Sequence, residues 1–170
     1  MKKTARRRPS VPVPRDGARL PRISIIIEEP LWREHKAALR LIRRAARLAL
    51  AQTPQHVAIL LSGDERLRAL NAAFGKADKA TNVLSFPATP HGEPYLGDVA
   101  IAYGLVTREA RAQHKSFAAH AAHLAIHGVL HLLGLDHEKA NEARLMEQQE
   151  IDLLAQLGIA DPYTTSGKAA

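Results

Sequence analysis

Hydrophobic residues along the chain follow two periods, one typical of strands and the other typical of helices. β-Branched or continuous apolar runs predict four strands, at residues 22–28, 56–61, 82–86 and 97–102. Apolar residues three and four apart predict five helices, at residues 31–52, 65–74, 107–114, 116–133 and 141–157. Because the strands and helices alternate at first and helices dominate the end, the pattern predicts an α+β fold. In that fold, helices cover a small mixed four-stranded sheet.

Proline, glycine and capping residues mark where these elements end. Pro30 ends the first strand, and Pro87 ends the third, which is short and therefore expected at a sheet edge. Asp64 is expected to cap the helix at residues 65–74. Gly134 follows the helix at residues 116–133, where a glycine allows the chain to leave in a left-handed conformation.

The predicted helix at residues 116–133 carries histidines at the spacing of a metal site. The run H-G-V-L-H-L-L-G-L-D-H contains His127, His131 and His137. His127 and His131 share one helix face, and a turn at Gly134 lets His137 return to them. Three imidazoles and an open fourth position are what a catalytic zinc site needs, so we expect one Zn²⁺ per chain. The alternative is three ordinary histidines whose hydrogen bonds are satisfied within the fold.

The spacing matches the metzincin pattern H-E-x-x-H-x-x-G-x-x-H except at its second position. Gly128 stands where that pattern has the glutamate that serves as general base. The motif therefore predicts a hydrolytic metal centre that lacks the base of a peptidase. Asp136 is the nearest carboxylate, and we expect it to shape the turn or to support a ligand from the second shell rather than to act as the base.

Two further histidines precede the motif on the same predicted helix. His123 continues the four-residue ladder of His127 and His131. Three ligands along one straight helix face would span about 12 Å, which is too far for a single ion. We therefore expect His123 to support a neighbouring ligand from the second shell, and His120 to face the core or solvent.

Size and composition limit the class of protein. A chain of 170 residues without cysteine is expected to form one domain, at residues 23–163, without disulfides or thiolate-bound zinc. The first residues lack the apolar segment of a secretory signal, and no apolar run is long enough to cross a bilayer. We expect a soluble, cytoplasmic protein that has no membrane partner.

The positive charge of the chain is concentrated at its start. Residues 1–22 hold eight of the 24 basic residues and one acid, which accounts for the whole net charge of +7. We expect this proline-broken segment to be a disordered tail, with a second tail at residues 164–170. The basic tail either lies on nucleic acid or is an ordinary solvated extension.

A second basic feature lies on the predicted helix at residues 31–52. It is a stripe of cations with little compensating acid, made of Lys36, Arg40, Arg43 and Arg47. One-signed charge at this spacing favours a phosphate-facing surface in which Arg40 and Arg43 contact the substrate, and the alternative is an ordinary solvated face. Aromatic residues make up only 4% of the chain, so an aromatic platform for bases is not expected.

Three sequence blocks occur in an order and spacing that resemble the YbeY family of bacterial rRNA maturation endoribonucleases. The blocks are T-N-V-L-S-F-P, L-G-D-V-A-I-A and H-G-V-L-H-L-L-G-L-D-H, and the resemblance covers about residues 23–163. It implies a zincin-like metal helix whose zinc ion is held by His127, His131 and His137. It also implies cleavage of single-stranded RNA, with no DNA substrate, in small-subunit rRNA 3′-end maturation and ribosome quality control. The implied partners are rRNA and the small ribosomal subunit.

The chain departs from that family's pattern in one loop. The family usually has R-G-K-D-x-P-T-N there, and an ungapped count places Gly75 at the arginine and Ala80 at the proline. The nearest cations are Lys76 and Lys79, which we expect to contact phosphate instead. A lysine neutralises a phosphate but does not fork two of its oxygens as a guanidinium does.

Three functions are compatible with the histidine motif. The preferred one is a zinc-dependent endoribonuclease, in which the nucleophile is either water or the RNA's own 2′-hydroxyl. The second is a ribosome-assembly factor whose metal is mainly structural, suggested by the missing arginine at Gly75. The third is a metal-dependent peptidase, suggested by the metzincin spacing and opposed by Gly128.

Overall fold

The sheet in the computed structural model contains four strands in a mixed arrangement. The structure describes residues 21–50, 53–75, 77–89, 94–136 and 138–164. The strands are β1 (Arg22–Ile27), β2 (His56–Ser62), β3 (Val83–Pro87) and β4 (Tyr95–Ala102), in the order β1-β2-β4-β3. β1 and β4 run parallel to β2, and β3 runs antiparallel to β4. The predicted α+β fold with a small mixed sheet is confirmed.

Five α-helices surround the sheet within the described ranges. They are α1 (Lys36–Leu50), α2 (Asp64–Phe74), α3 (Tyr103–Ala112), α4 (Phe117–Leu132) and α5 (Ala140–Gln156). α3 begins earlier than its predicted start at Thr107, because the chain turns directly from the end of β4 into the helix. β4 also begins earlier than predicted, because the His56 N–H donates to the Pro94 carbonyl at 2.6 Å and Tyr95 pairs with His56.

The prediction of a single helix at residues 31–52 is wrong at its start. Residues Pro30–Glu34 form a short 3₁₀ helix, and His35, at φ −100° and ψ 60°, separates it from α1. The break is held by Trp32, which is fully buried and whose Nε1 donates to the Ser62 carbonyl at 3.1 Å. Burial of the indole ring and its hydrogen bond therefore override the local helical pattern.

The two faces of the sheet are covered by different helices. α1 and α4 pack on one face, over Val99 and Ile101 of β4. α2 packs on the other face through Leu67. α5 lies outside the first layer and packs on α1 and α4 through Met146 and Leu154. The histidine helix α4 is therefore enclosed between the sheet and α5.

β3 is an edge strand in the part of the chain that the structure describes, as its short length and Pro87 predicted. It lies beside α4, because the Ser85 hydroxyl donates to the Gly128 carbonyl at 2.9 Å. Just before the strand, the Asn82 amide donates to the two carboxylate oxygens of Glu109 at 3.2 and 2.9 Å. The T-N-V-L-S-F-P block therefore connects the edge of the sheet to both α3 and α4.

Asp64 caps a different helix from the one predicted. α2 begins at Asp64, and the capping position before it is Gly63, which has no side chain to donate or accept. The Asp64 carboxylate instead accepts the Leu105 backbone N–H at 2.9 Å and an Arg108 guanidinium N–H at 2.8 Å. Because Leu105 lies in the first turn of α3, the carboxylate stabilises the positive end of that helix.

Most of both predicted tails lies outside the described residues. Of residues 1–22 the structure describes Pro21 and Arg22, and of residues 164–170 it describes Thr164. Among the helices that the structure does describe, none is long and apolar enough to cross a membrane.

Candidate metal centre and its surroundings

The two histidines that share a face of α4 approach each other at their ring nitrogens. α4 begins after Ser116, whose hydroxyl accepts the Ala119 N–H at 3.1 Å. Near the other end of the helix, Nε2 of His127 and Nε2 of His131 lie 3.1 Å apart. A zinc ion bound tetrahedrally by imidazoles at about 2.0–2.1 Å separates two ligand nitrogens by about 3.3 Å. The pair therefore fits two ligands of one ion.

The third predicted ligand, His137, lies outside the described residues. The chain approaches it through Gly134, which has φ 92°, the left-handed conformation that the sequence predicted. Half-buried Asp136 follows two residues later. Within the described ranges, no group of three side chains is placed to hold a metal ion. The assignment of the metal site therefore stays a prediction.

A buried carboxylate from α5 contacts His127 of this pair and the neighbouring His123. Glu150 is fully buried, and its Oε1 lies 2.5 Å from Nδ1 of His127. Its Oε2 lies 2.9 Å from Nε2 of His123 and also accepts the hydroxyl of Tyr163. Burial by itself raises the pKa of Glu150, but these three hydrogen bonds outweigh burial and lower the pKa to about 2. Glu150 is therefore an anion at neutral pH.

Tyr163 closes this cluster from the C-terminal side. Its side chain is 44% exposed, but its hydroxyl points at the buried Glu150 carboxylate. Partial burial and the hydrogen bond to Glu150 raise the pKa of Tyr163 above its ordinary value of 10.0. The phenol therefore remains a hydrogen-bond donor throughout the neutral range.

Sequence reasoning missed Glu150, although a signal for it was present. Met146, Glu150 and Leu154 recur every four residues on α5, and all three are buried. An acid inside an apolar helical stripe needs a buried partner. His123, expected to support a neighbouring ligand, contacts the same carboxylate that contacts His127.

Gly128 lies where α4 comes very close to the sheet. A Cβ atom at this position would be 2.5 Å from Cγ1 of Val99 and 3.3 Å from Oγ of Ser85. Glycine is therefore required by the close approach of the helix to β4. A glutamate at position 128 would point into Val99, so this helix cannot present a base in the way the metzincin pattern does.

His120 belongs to a separate polar cluster. It is buried, and its Nε2 lies 2.7 Å from Oε2 of Glu109, the carboxylate that also accepts the Asn82 amide. Burial lowers the pKa of His120, and the adjacent Glu109 offsets this lowering only in part. This histidine therefore joins α4 to α3 in the interior, at one of the two positions that the sequence predicted for it.

Arg40 and Arg43 lie at the other edge of the sheet. They border a groove of about 410 Å³ between β1 and α1, lined by Ile25, Ile27, Leu39, Arg40, Arg43 and Arg44. A guanidinium N–H of Arg43 donates to the Ile23 carbonyl at 2.6 Å. Because β1 and β3 are opposite edges of the sheet, the structure does not bring these arginines to the histidine pair.

The loop before β3 carries cations from two parts of the chain. Lys76 lies outside the described residues, and Lys79 is exposed. Arg68 of α2 reaches the same loop, where its Nε and Nη2 donate to the Asp78 carboxylate at 2.7 and 3.4 Å. Hydrogen bonding to this guanidinium, together with its charge, lowers the pKa of Asp78. A guanidinium from α2 therefore lies at this loop, although the loop itself contains no arginine.

An exposed aromatic ring lies beside this loop. Phe74, the last residue of α2, is 74% exposed. Its ring centroid lies 6.0 Å from that of Phe86 in β3, in an edge-to-face arrangement. The low aromatic content of the chain thus still leaves one exposed ring at the β3 edge.

A sequence model of a known family matches most of the chain. The model described as Endoribonuclease YbeY matches residues 27–158. The chain belongs to the YbeY endoribonuclease family. This result confirms the family that the three sequence blocks resembled, and the matched span includes both the histidine pair on α4 and Glu150 on α5.

Curated members of the YbeY family are similar over most of their length. Endoribonuclease YbeY of Maricaulis maris is 45% identical over 145 residues, which cover 83% of this chain and 91% of that protein. Endoribonuclease YbeY of Rhodopseudomonas palustris strain CGA009 is 47% identical over 154 residues, covering 84% and 81%. The solution structure of TM1509 from Thermotoga maritima matches with a TM-score of 0.51 and 20% identity, over 87% of this chain and 99% of that one. The last likeness supports the fold alone.

The loop that departs from the YbeY pattern has a steric reason for its glycine. A Cβ atom at Gly75 would be 2.1 Å from Oδ1 of Asn71. The same Asn71 side chain donates to the Lys79 carbonyl at 3.0 Å and so shapes the loop. In this conformation the loop has no room for the arginine of the family pattern at position 75.

Proposed function

We propose that the protein is a zinc-dependent endoribonuclease that cleaves single-stranded RNA, rather than DNA, in the cytoplasm. Its substrate is rRNA of the small ribosomal subunit, in 3′-end maturation and in ribosome quality control. Membership of the YbeY endoribonuclease family supports the cleavage of RNA and a role in rRNA processing. The catalytic domain spans residues 23–163 and leaves the basic residues 1–22 and residues 164–170 outside it.

One observation carries the metal part of this proposal. Nε2 of His127 and Nε2 of His131 converge to 3.1 Å, close to the separation of two nitrogens on one zinc ion. His127, His131 and His137 would hold one zinc ion per chain. When bound, that ion supplies a Lewis acid that offsets phosphate charge and lowers the pKa of water toward about 7.

The surface beside β3 is proposed to bind the RNA strand. Its exposed Lys79, and Lys76 in the same loop, are proposed phosphate contacts. Phe74 offers an exposed ring on which a base can stack, which suits single-stranded RNA. Arg40 forms a second basic surface at the opposite edge of the sheet, together with Arg43, and we propose that this surface holds rRNA away from the cleaved bond.

The packing around Gly128 argues against the peptidase alternative. A glutamate there would collide with Val99, so the helix offers no general base of the metzincin kind. The assembly-factor alternative differs from the proposal in one measurable respect, because it requires ribosome binding but no cleavage.

The experiment compares the wild-type chain with His131→Ala. We expect wild type to bind one zinc ion per chain and to cleave single-stranded RNA, and the variant to lose both because the shared ion loses a ligand. His114→Asn is the matched control, because His114 is exposed at the end of α3. Its φ of 53° is a backbone conformation that asparagine readily adopts.

Each alternative has its own outcome in this experiment. Full cleavage of RNA by the metal-free His131→Ala protein would contradict the proposal. Zinc loss with unchanged ribosome binding, and no RNA cleavage by wild type, would favour the assembly factor. Digestion of a peptide library by the wild-type protein would favour the peptidase.

A further inference from the structure

Burying the Glu150 carboxylate costs free energy that an apolar residue at the same position would not cost. It is fully buried, in the stripe of α5 formed by Met146 and Leu154. Taking a carboxylate out of water costs several kcal/mol, and apolar residues of similar volume often stabilise such an interface better. The groups around this carboxylate therefore indicate what it does.

We propose that Glu150 is a positioning residue that fixes His127 with its proton on Nδ1 and so leaves Nε2, facing His131, as the nitrogen that donates an electron pair. The inference rests on the proposed metal site and deepens it. It gives α5, through Glu150, a positioning role in the proposed zinc site, whose predicted ligands lie on α4 and in the turn after it.

The hydrogen-bond geometry supports this assignment of the tautomer. Three possible donors, on His127, His123 and Tyr163, surround the two oxygens of Glu150, which makes the carboxylate the acceptor. The contact of 2.5 Å between Oε1 of Glu150 and Nδ1 of His127 therefore places the proton on that nitrogen. A neutral imidazole carries one proton, so Nε2 keeps its electron pair. That Nε2 is the atom that lies 3.1 Å from Nε2 of His131.

The two oxygens of the carboxylate have separate partners. Oε1 contacts His127, whereas Oε2 contacts His123 and the hydroxyl of Tyr163. The partners of Oε2 hold the carboxylate plane, so that Oε1 stays directed at His127. A histidine ligand whose second nitrogen donates to a carboxylate has a fixed orientation and a more basic ligand nitrogen.

The first experiment measures zinc affinity by competition with a chelator, on full-length wild type and Glu150→Gln. Glutamine keeps the shape of the side chain but has one accepting oxygen for three donors. We expect zinc affinity to fall by about 10- to 100-fold, which is typical when the partner of a histidine ligand is removed. An affinity of Glu150→Gln equal to that of wild type would overturn the inference.

Two control variants separate positioning from loss of charge or of stability. Glu147→Gln removes the same charge from an exposed position of α5, and we expect wild-type zinc affinity. Tyr163→Phe removes one donor from Oε2 and leaves the contact of Oε1 with His127 in place. Its loss of affinity should therefore be smaller than that of Glu150→Gln. Equal losses in all three variants would overturn the assignment.

A measurement on the wild-type chain alone keeps the inference testable even where Glu150→Gln does not fold. In the metal-free protein labelled with ¹⁵N-histidine, NMR should show His127 protonated on Nδ1 and unprotonated on Nε2. A proton on Nε2 would overturn the inference without reference to activity. Wild-type protein that binds zinc with this tautomer but cleaves no RNA would refute the nuclease and leave the role of Glu150 standing.

Discussion

β1 and β3 are the two edges of the sheet in the described part of the chain, and each lies beside a helix rich in one kind of side chain. At the β1 edge, α1 contributes arginines around a groove of about 410 Å³ with an isoleucine and leucine lining. At the β3 edge, α4 contributes histidines and lies so close that Gly128 has no room for a Cβ atom. One edge is open and charged, and the other is tightly packed.

The difference shows how the two kinds of surface are built. The arginines of α1 are exposed, and the helix repeat places them along the helix, so their positions follow from local spacing. Two of the histidines of α4, His123 and His127, contact Glu150, which is 23 residues beyond His127 and lies on another helix. Charge can be arranged within one element, but a centre with fixed ring orientations needs contacts between elements.

The largest expected effect tests the close packing at the β3 edge. In an open helix, replacing a glycine by alanine stabilises by about 1 kcal/mol. We expect Gly128→Ala to destabilise instead, by about 1–3 kcal/mol, because its Cβ would meet the rigid Val99 side chain at 2.5 Å. Urea unfolding measures the change, and Ala118→Gly in the same helix measures the backbone contribution. A Gly128→Ala protein as stable as wild type would show that the edge is less tightly packed than described.

An intermediate effect tests the open β1 edge. We expect the double variant Arg40→Ala with Arg44→Ala to weaken RNA binding at low salt while kcat stays unchanged, because these side chains lie far from the histidine pair. If each arginine neutralises one phosphate, the slope of log affinity against log salt falls by about 0.7 per arginine. Arg43 is left intact because it also bonds the β1 backbone. The control is a double variant at two exposed arginines elsewhere, Arg111→Ala with Arg144→Ala. If the salt slope of RNA affinity fell equally in this control, the β1 edge would not be a specific RNA-binding surface.

The smallest expected effect concerns the loop that leads into β3. Arg68 lowers the pKa of Asp78 below its ordinary value, and both groups are exposed. Because the folded pKa is lowered, the pair stabilises the fold above the unfolded pKa and loses this contribution as pH falls through the folded value. We expect Arg68→Ala to raise the pKa of Asp78 in an NMR titration, with no measurable change in unfolding. An unshifted Asp78 in that variant would mean that Arg68 is already available to phosphate.

Local patterns predicted most of the architecture. They also predicted that His127 and His131 share a helix face, but not the contacts of the histidines with α5. The strands, the edge position of β3 and the left-handed Gly134 follow from side-chain period, proline and glycine. The four-residue spacing of His127 and His131 also predicted their shared face, because a helix repeats every 3.6 residues. These features depend on residues that are neighbours in the chain.

Features that depend on distant residues could not be predicted in the same way. Trp32 breaks the predicted first helix because its indole reaches Ser62 on β2. The Asp64 carboxylate accepts a backbone N–H of α3 rather than one of α2, and this contact depends on how the two helices pack together. Glu150 was visible only as an acid in an apolar stripe, and its partners became clear once α4 and α5 were packed together.

The hydrogen bond from Arg43 to the Ile23 carbonyl also bears on self-association. An unpaired strand edge is a template on which a second copy can add a strand, and such pairing leads to aggregation. At β1 one of the carbonyl groups is already occupied by a guanidinium. A second copy brought edge to edge would also carry its own Arg40 and Arg44 toward those of the first. The arginines of α1 therefore oppose the addition of a strand from a second copy at this edge.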